Sequence, residues 1–269
     1  MRPFRIVPFF DAVGMPLVAL VGAALATVEA ARPLRERRVR RAERWVTNAR
    51  MGALAGAVVR LAIVPTVNAC ARGAAERNVG VLRWLPLPRA ARAALGFVAL
   101  DYSMYLWHRA LHGVPLLWRS HAVHHVDRDL DVTTALRFHV GELAASVPFR
   151  AAQTVLLGVG PRVALVYELA MQAAALFHHS NVRLPARVDR ALARVFVTPR
   201  MHGVHHSTAR EELASNWGVV FAVWDRLHGT ARWRATPPDI GLLAENAPGG
   251  VAPSAVAQER GRGLGRVSA

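Results

Sequence analysis

The sequence predicts an all-α fold: a polytopic bundle of transmembrane helices carrying a histidine-rich cap on its cytoplasmic side. Three observations predict it. Five stretches are apolar on nearly all sides. One segment between the first two concentrates arginine. Eight of the twelve histidines fall in three short stretches, "HRALH" at 108–112, "HAVHH" at 121–125 and "HGVHH" at 202–206.

The apolar stretches come first. They are 6–28, interrupted by Asp11; 51–71, carrying Arg60; 93–107, carrying Asp101; 143–159, carrying Arg150; and 163–177, carrying Glu168. A bilayer core about 30 Å thick needs about 20 apolar residues in a helix. The first two are long enough to cross. The last three are shorter and need tilt, flanking residues or partial insertion. "GVGPR" at 158–162 reads as the turn of a helical hairpin. Apolar residues make up 53% of the chain and mean hydropathy is positive, which favours a membrane over a soluble helical protein.

Charge sets the orientation. All 34 basic residues are arginine and the net charge is +16. Such a balance fits nucleic acid or an anionic membrane surface. No interleaving of aromatic and basic residues supports base stacking, so no nucleic-acid partner is expected. Residues 31–50 hold eight Arg and two Glu, which the positive-inside rule assigns to the cytoplasm. Counting spans from there puts 72–92 outside and returns 108–139 and 178–269 to the inside, so all three histidine stretches reach one face. The outer loop carries five Arg of its own. Cys70 is the only cysteine, which excludes an intrachain disulfide framework and a cysteine zinc knuckle. No cleavable signal peptide is read at the N-terminus. The expected organisation is an N-terminal transmembrane region at 1–90, a catalytic domain at 91–235, and a Pro-, Ala- and Gly-rich tail at 236–269 that reads as disordered.

The histidines carry the chemistry. Residues three and four apart share a helix face, so each stretch reads as a claw of imidazoles: His108 and His112; His121, His124 and His125; His202, His205 and His206. Imidazole suits Fe, Zn, Cu or Ni, and a tetrahedral metal takes four ligands. Eight histidines exceed one site, so two metals are the economical reading. One His pair four apart arises easily by chance; two copies of His-x-x-His-His plus a His-x-x-x-His do not.

Other residues support the claws. Asp101, Tyr105, His108 and His112 follow at steps of four, three and four along one helix face. An acid in an apolar helix is expensive, and Asp101 is placed to accept the second ring N–H of a ligand histidine. Thr198 and Pro199 read as the start of the helix bearing the third claw. Gly203 costs about 1 kcal/mol of helix propensity there, which a close approach of metal or backbone would explain. His139 and the pair His178 and His179 flank the apolar hairpin near the claws, and His178 and His179 cannot both face one metal from a helix. His228 reads as a structural or surface residue.

These residues resemble the fatty acid hydroxylase/sterol desaturase superfamily of integral-membrane di-iron oxygenases. The matching pieces are "DYSMYLWHRALH" at 101–112, "HAVHH", "FHHSN" at 177–181, "HGVHH", "NWG" at 216–218 and "WDRLHGT" at 224–230. They span roughly 95–232 in the family's order. The resemblance implies that the eight box histidines hold two irons and that His179 is a ligand in preference to His178. It implies an extra ligand at His139, although Val140 replaces the family's Pro in that motif. Asp101 and Tyr105 become supporting residues, and Asn181 and Asn216 candidate catalytic residues. His228 stands where the family has Phe, against a ligand role.

The chemistry so implied is O₂-dependent hydroxylation, or desaturation, of a lipid such as a sterol or fatty acyl chain. Two Fe ions and O₂ are the expected cofactors, with Zn able to substitute in purified protein. Electrons must come from a separate donor protein, because no flavin, NAD or Fe–S motif is visible. Two rival readings are a non-enzymatic metal-binding or transport protein, and a zinc hydrolase on the same scaffold with Glu142 or Asp127 as base. Histidines gathered at one face speak against a transport path.

Overall fold

The computed structural model describes residues 6–248. Among these residues pairing between extended segments is confined to isolated bridges, and the chain is all-helical as the sequence predicts. Seven helices position the site: α1, Ile6–Ala31; α2, residues 41–76; α3, Arg89–Gly113; α4, Pro115–His125; α5, Val140–Leu157; α6, Pro161–His179; and α7, Pro199–His205.

Local chemistry sets their ends. α4, α6 and α7 each begin with proline, whose missing N–H is one of the donors left over at a helix start. Thr198 caps α7, its Oγ1 accepting from Met201 N–H at 3.3 Å. α5 stops at Gly158, which adopts φ +71°. The "GVGPR" segment thus forms the expected hairpin of α5 and α6. Gly80 lies against the backbone of Gly158, where a Cβ would come within 2.3 Å, so both glycines are needed for the crossing.

The first two helices carry matching irregularities. α1 widens into a π-turn at Phe10–Gly14 and α2 at Val59–Ile63. A proline follows each by two residues, Pro16 and Pro65. Proline has no N–H and its ring clashes with the carbonyl four residues back, and the wider turn relieves both. The stretches Ile6–Ala31 and Arg41–Trp84 are long and apolar enough to cross a membrane. Only 11% and 17% of their apolar windows are buried, unlike the core helix of a soluble protein.

Buried polar residues pin these helices to the rest. Glu29, fully buried near the end of α1, accepts from Val132 N–H at 3.0 Å and Asn181 N–H at 2.8 Å. Arg44 donates to Asp127 at 2.7 and 2.8 Å and to Asp131 at 2.6 Å. Arg35 reaches the carbonyls of Pro199, Leu130 and Ser180. Two of the arginines in 31–50 are therefore internal struts rather than surface charge. The segment borders the histidine end of the bundle, with Leu34 N–H donating to the Asn181 carbonyl at 2.8 Å.

Of the expected tail at 236–269, residues 249–269 lie outside the described residues. Residues 236–248 lie beside the end of α7: Ile240 is buried, Gly241 N–H donates to the His206 carbonyl at 3.1 Å, and Asn246 donates to the Thr208 carbonyl.

Candidate metal centre

Nine histidines converge in two nests. His108, His112, His121, His125 and His205 form one; His124, His179, His202 and His206 form the other. Within each nest the candidate ligand nitrogens lie within 4.8 Å of one another. The nests adjoin, with the rings of His125 and His206 stacked at 4.2 Å.

The division departs from three single claws, and helix geometry explains it. At 3.6 residues per turn a residue four on is rotated by about 40°, and one three on by about 60° the other way. In α4, His121 and His125 enter the first nest and His124 turns into the second. In α7 the assignment is reversed: His202 and His206 enter the second nest and His205 the first. α3 completes the first nest with His108 and His112, and α6 completes the second with His179.

Backbone carbonyls fix the rings. Nδ1 of His108 faces Trp217 O at 3.0 Å, His124 Arg137 O at 3.1 Å, His179 Ala175 O at 2.7 Å, and His205 Ser215 O at 2.8 Å. A carbonyl partner puts the proton on Nδ1 and leaves the Nε2 lone pair for a metal. Glu142 at the start of α5 lies against His121, with Oε2 3.0 Å from Nδ1, although the two atoms are not aligned for a hydrogen bond. Burial first, and then the neighbouring imidazoles, hold His124, His125, His202, His205 and His206 well below the ordinary histidine range. They stay neutral, the form that ligates metal.

The nitrogens fit metal ions. In the second nest Nε2 of His179 lies 2.9 Å from that of His124 and 3.0 Å from that of His202, and His202 lies 3.2 Å from His206. His121 and His125 are separated by 3.3 Å in the first. Ligands about 2.1 Å from a common ion would be separated by about 3.0 Å at right angles and about 3.4 Å in a tetrahedron. Nε2 of His112 and of His205 are buried without a hydrogen-bond partner, which only a further electron-pair acceptor or donor would relieve.

Other expected site residues have different places. His139 lies outside both nests; it is exposed and caps α5, its Nδ1 accepting from Gly141 N–H at 3.1 Å. Asp101 does not reach a ligand histidine. It sits two turns before His108 and accepts from Val220 N–H, Phe221 N–H, Trp224 Nε1–H and Tyr167 O–H at 2.7–3.1 Å. Tyr105 meets Thr230 Oγ1 at 3.2 Å and stacks on His228. Asn181 is tied to Arg35, and Asn216, at φ +53°, links Met201 O to Arg232 N–H. Both asparagines hold the box segments in place rather than facing the nests. Gly203 is explained by neither metal nor backbone: a Cβ there would meet the Arg35 guanidinium at 2.6 Å. His178 is buried with its ring 4.0 Å from that of His202, yet belongs to neither nest.

Sequence reasoning considered Glu142 only as the base of a rival zinc hydrolase, not as a neighbour of a nest histidine, and passed over Trp217 as a site residue. Trp217 packs its ring against His108, His112 and His205. An acid opening an apolar stretch was the available signal for Glu142; for Trp217 the only one was its place in "NWG".

A cavity of about 800 Å³ opens onto the nests. His108, His121, His124, His178, His179 and His202 line one end. Val18, Ala26, Leu111, Val132 and Leu176 are among its apolar walls, drawn from four elements.

A family model described as "Fatty acid hydroxylase" matches residues 93–230. The chain is 32% identical over 164 residues to an ornithine lipid hydroxylase of Rhizobium tropici, covering 60% of this chain and 49% of the relative. It is 30% identical over 137 residues to the alkylglycerol monooxygenase of Homo sapiens, covering 50% and 29%. It is 27% identical over 140 residues to human cholesterol 25-hydroxylase, covering 51% and 50%. The chain thus matches half or less of the length of these relatives. No solved structure matches it.

Proposed function

Since the chain belongs to the fatty acid hydroxylase family, we propose that it is an O₂-dependent membrane oxygenase that hydroxylates a C–H bond of a lipid, with one iron in each nest. The observation that carries this reading is that two nests of buried and half-buried imidazoles border one largely apolar cavity. The names of the relatives favour hydroxylation over desaturation. Two irons, given O₂ and electrons from a separate donor protein, supply the oxidising power to break an unactivated C–H bond; zinc would occupy the same nitrogens without it.

The chain's own residues do the rest. The carbonyls of Trp217, Arg137, Ala175 and Ser215 hold the rings of His108, His124, His179 and His205 in one tautomer. Burial of the nests keeps bulk water from the reacting carbon. The cavity walls let an alkyl chain approach the face formed by His108, His124 and His202. The Arg-rich segment borders the same end of the bundle, which under the positive-inside rule supports a cytoplasmic site.

The test is lipid profiling of cells with the intact chain or a His205→Ala variant, grown under isotopically labelled O₂. A hydroxylated lipid carrying label from O₂, present only with the intact chain, is expected. A product whose new oxygen is unlabelled, and so drawn from water, would mean a hydrolase.

A further inference from the structure

The cavity end opposite the nests is charged. Arg150 and Glu168 line it, 4% and 6% exposed, and form a buried ion pair. Gln172 also lines it and donates to Glu168 Oε1 at 2.9 Å. The second terminal nitrogen of Arg150 meets thioether sulfur among the described residues, Met171 Sδ at 2.9 Å and Met104 Sδ at 4.0 Å. Sulfur is a weak acceptor, so a strong donor faces the cavity with poor partners. Asp11 and Arg60 add a second pair, bonded at 2.5 and 2.7 Å across the two π-turns. α1 and α6 run side by side, Gly14 against Leu169 and Gly22 against Leu176. Asp11 is therefore near the level of Glu168.

Arg150 and Glu168, charges buried amid apolar helices, are expensive and contribute little to stability, whereas Asp11 and Arg60 are partly exposed. Both pairs are electrically neutral. A phosphate or carboxylate placed there would meet Glu168 and Asp11 as well as the arginines. A hydroxyl or carbonyl oxygen would instead accept from Arg150 Nη2, and a hydroxyl could donate to a remaining lone pair of Glu168. Glu168 and His179 are eleven residues apart on α6, about 16 Å along a helix.

We infer that the cavity selects an amphiphile whose uncharged, oxygen-bearing polar group sits at Arg150, Glu168 and Gln172 while its alkyl chain runs to the nests. This deepens the proposed function and rests on its reading of the cavity as the substrate site. It places the oxidised carbon in the chain, about one to three helical turns from the polar group, rather than beside it.

The test uses the purified full-length chain in detergent and three probes: cetyl alcohol, its parent alkane cetane, and palmitate. Binding is read as the concentration dependence of thermal stabilisation. Cetyl alcohol should bind best, preferred over cetane by roughly tenfold, the size of one hydrogen bond to a charged group. Arg150→Leu/Glu168→Leu removes both charges and leaves neither uncompensated, so the preference should vanish. His205→Ala should keep it, because His205 does not line the cavity; failure of the iron reading therefore leaves this result standing. Photocrosslinking of the unaltered chain adds a readout independent of variant folding. A diazirine beside the hydroxyl should label Met104 or Met171, and one at the chain terminus Leu111 or Phe138. Equal binding of cetane, preference for palmitate, a preference retained in the folded double variant, or reversed labelling would each overturn the inference.

Discussion

Nδ1 of His108 lies 3.0 Å from the carbonyl of Trp217, and the segment bearing that carbonyl is held by Asp101 and Asp225. Asp225 accepts from Trp217 and Gly218 N–H at 2.8 and 2.9 Å. Asp101 accepts from Val220, Phe221 and Trp224 a few residues on. The acid in the helix thus orients its histidine through a loop.

Asp101→Asn replaces an oxygen that accepts two hydrogen bonds with an amide that donates. The 217–224 segment should loosen and His108 lose its fixed tautomer. Activity should fall about 10–100-fold, the usual cost of an outer partner of a metal ligand, with membrane insertion intact. Lipid conversion in cells, normalised by blot, measures it.

His139→Ala and His228→Phe should both keep most activity. The first removes a helix cap at a cost of about 1 kcal/mol and shows as a lower melting temperature. The second keeps an aromatic ring against Tyr102 and Tyr105. A folded but inactive His228→Phe protein would overturn its placement outside the site.

Arg44→Met should be severely destabilising, by about 3–5 kcal/mol, because Asp127 and Asp131 would be buried without their counter-charge. Chemical unfolding in detergent is the readout. An Arg40→Met variant in the same segment, exposed and paired only loosely with Glu43 at 3.6 Å, should change stability little.

Reporter fusions after residue 50 and near residue 230 should both report the cytoplasm, and a fusion within 75–88 the opposite side. Opposite reports from residue 50 and residue 230 would contradict a cytoplasmic site.

Much of this site was legible in sequence because metal ligation forces residue type and spacing. The helices bearing the boxes follow from helical pitch; the preference for His179 over His178 came from the resemblance, which also spoke against His228, and only His179 of the three lies in a nest. The partition of His124 and His205 into opposite nests was not legible, since a three-residue step gives the angle but not the partner helix. Asp101 was misjudged for a related reason. Two turns of helix carry its carboxylate beyond the ring it seemed to serve, and a loop more than a hundred residues downstream supplies its donors. Arg35 and Arg44 were counted only within the Arg-rich segment, because composition does not distinguish a buried strut from its solvated neighbours. His139 followed a motif whose Pro is Val140 here, and the ring turned to cap its own helix instead.

The central claim is one metal per nest. It is tested most directly by counting iron in folded, anaerobically purified protein reconstituted with ferrous ion. Two irons per chain are expected, falling to one in His202→Ala/His206→Ala, which removes half of the second nest. One iron or none in the folded unaltered chain, or two still bound by the double variant, would contradict it.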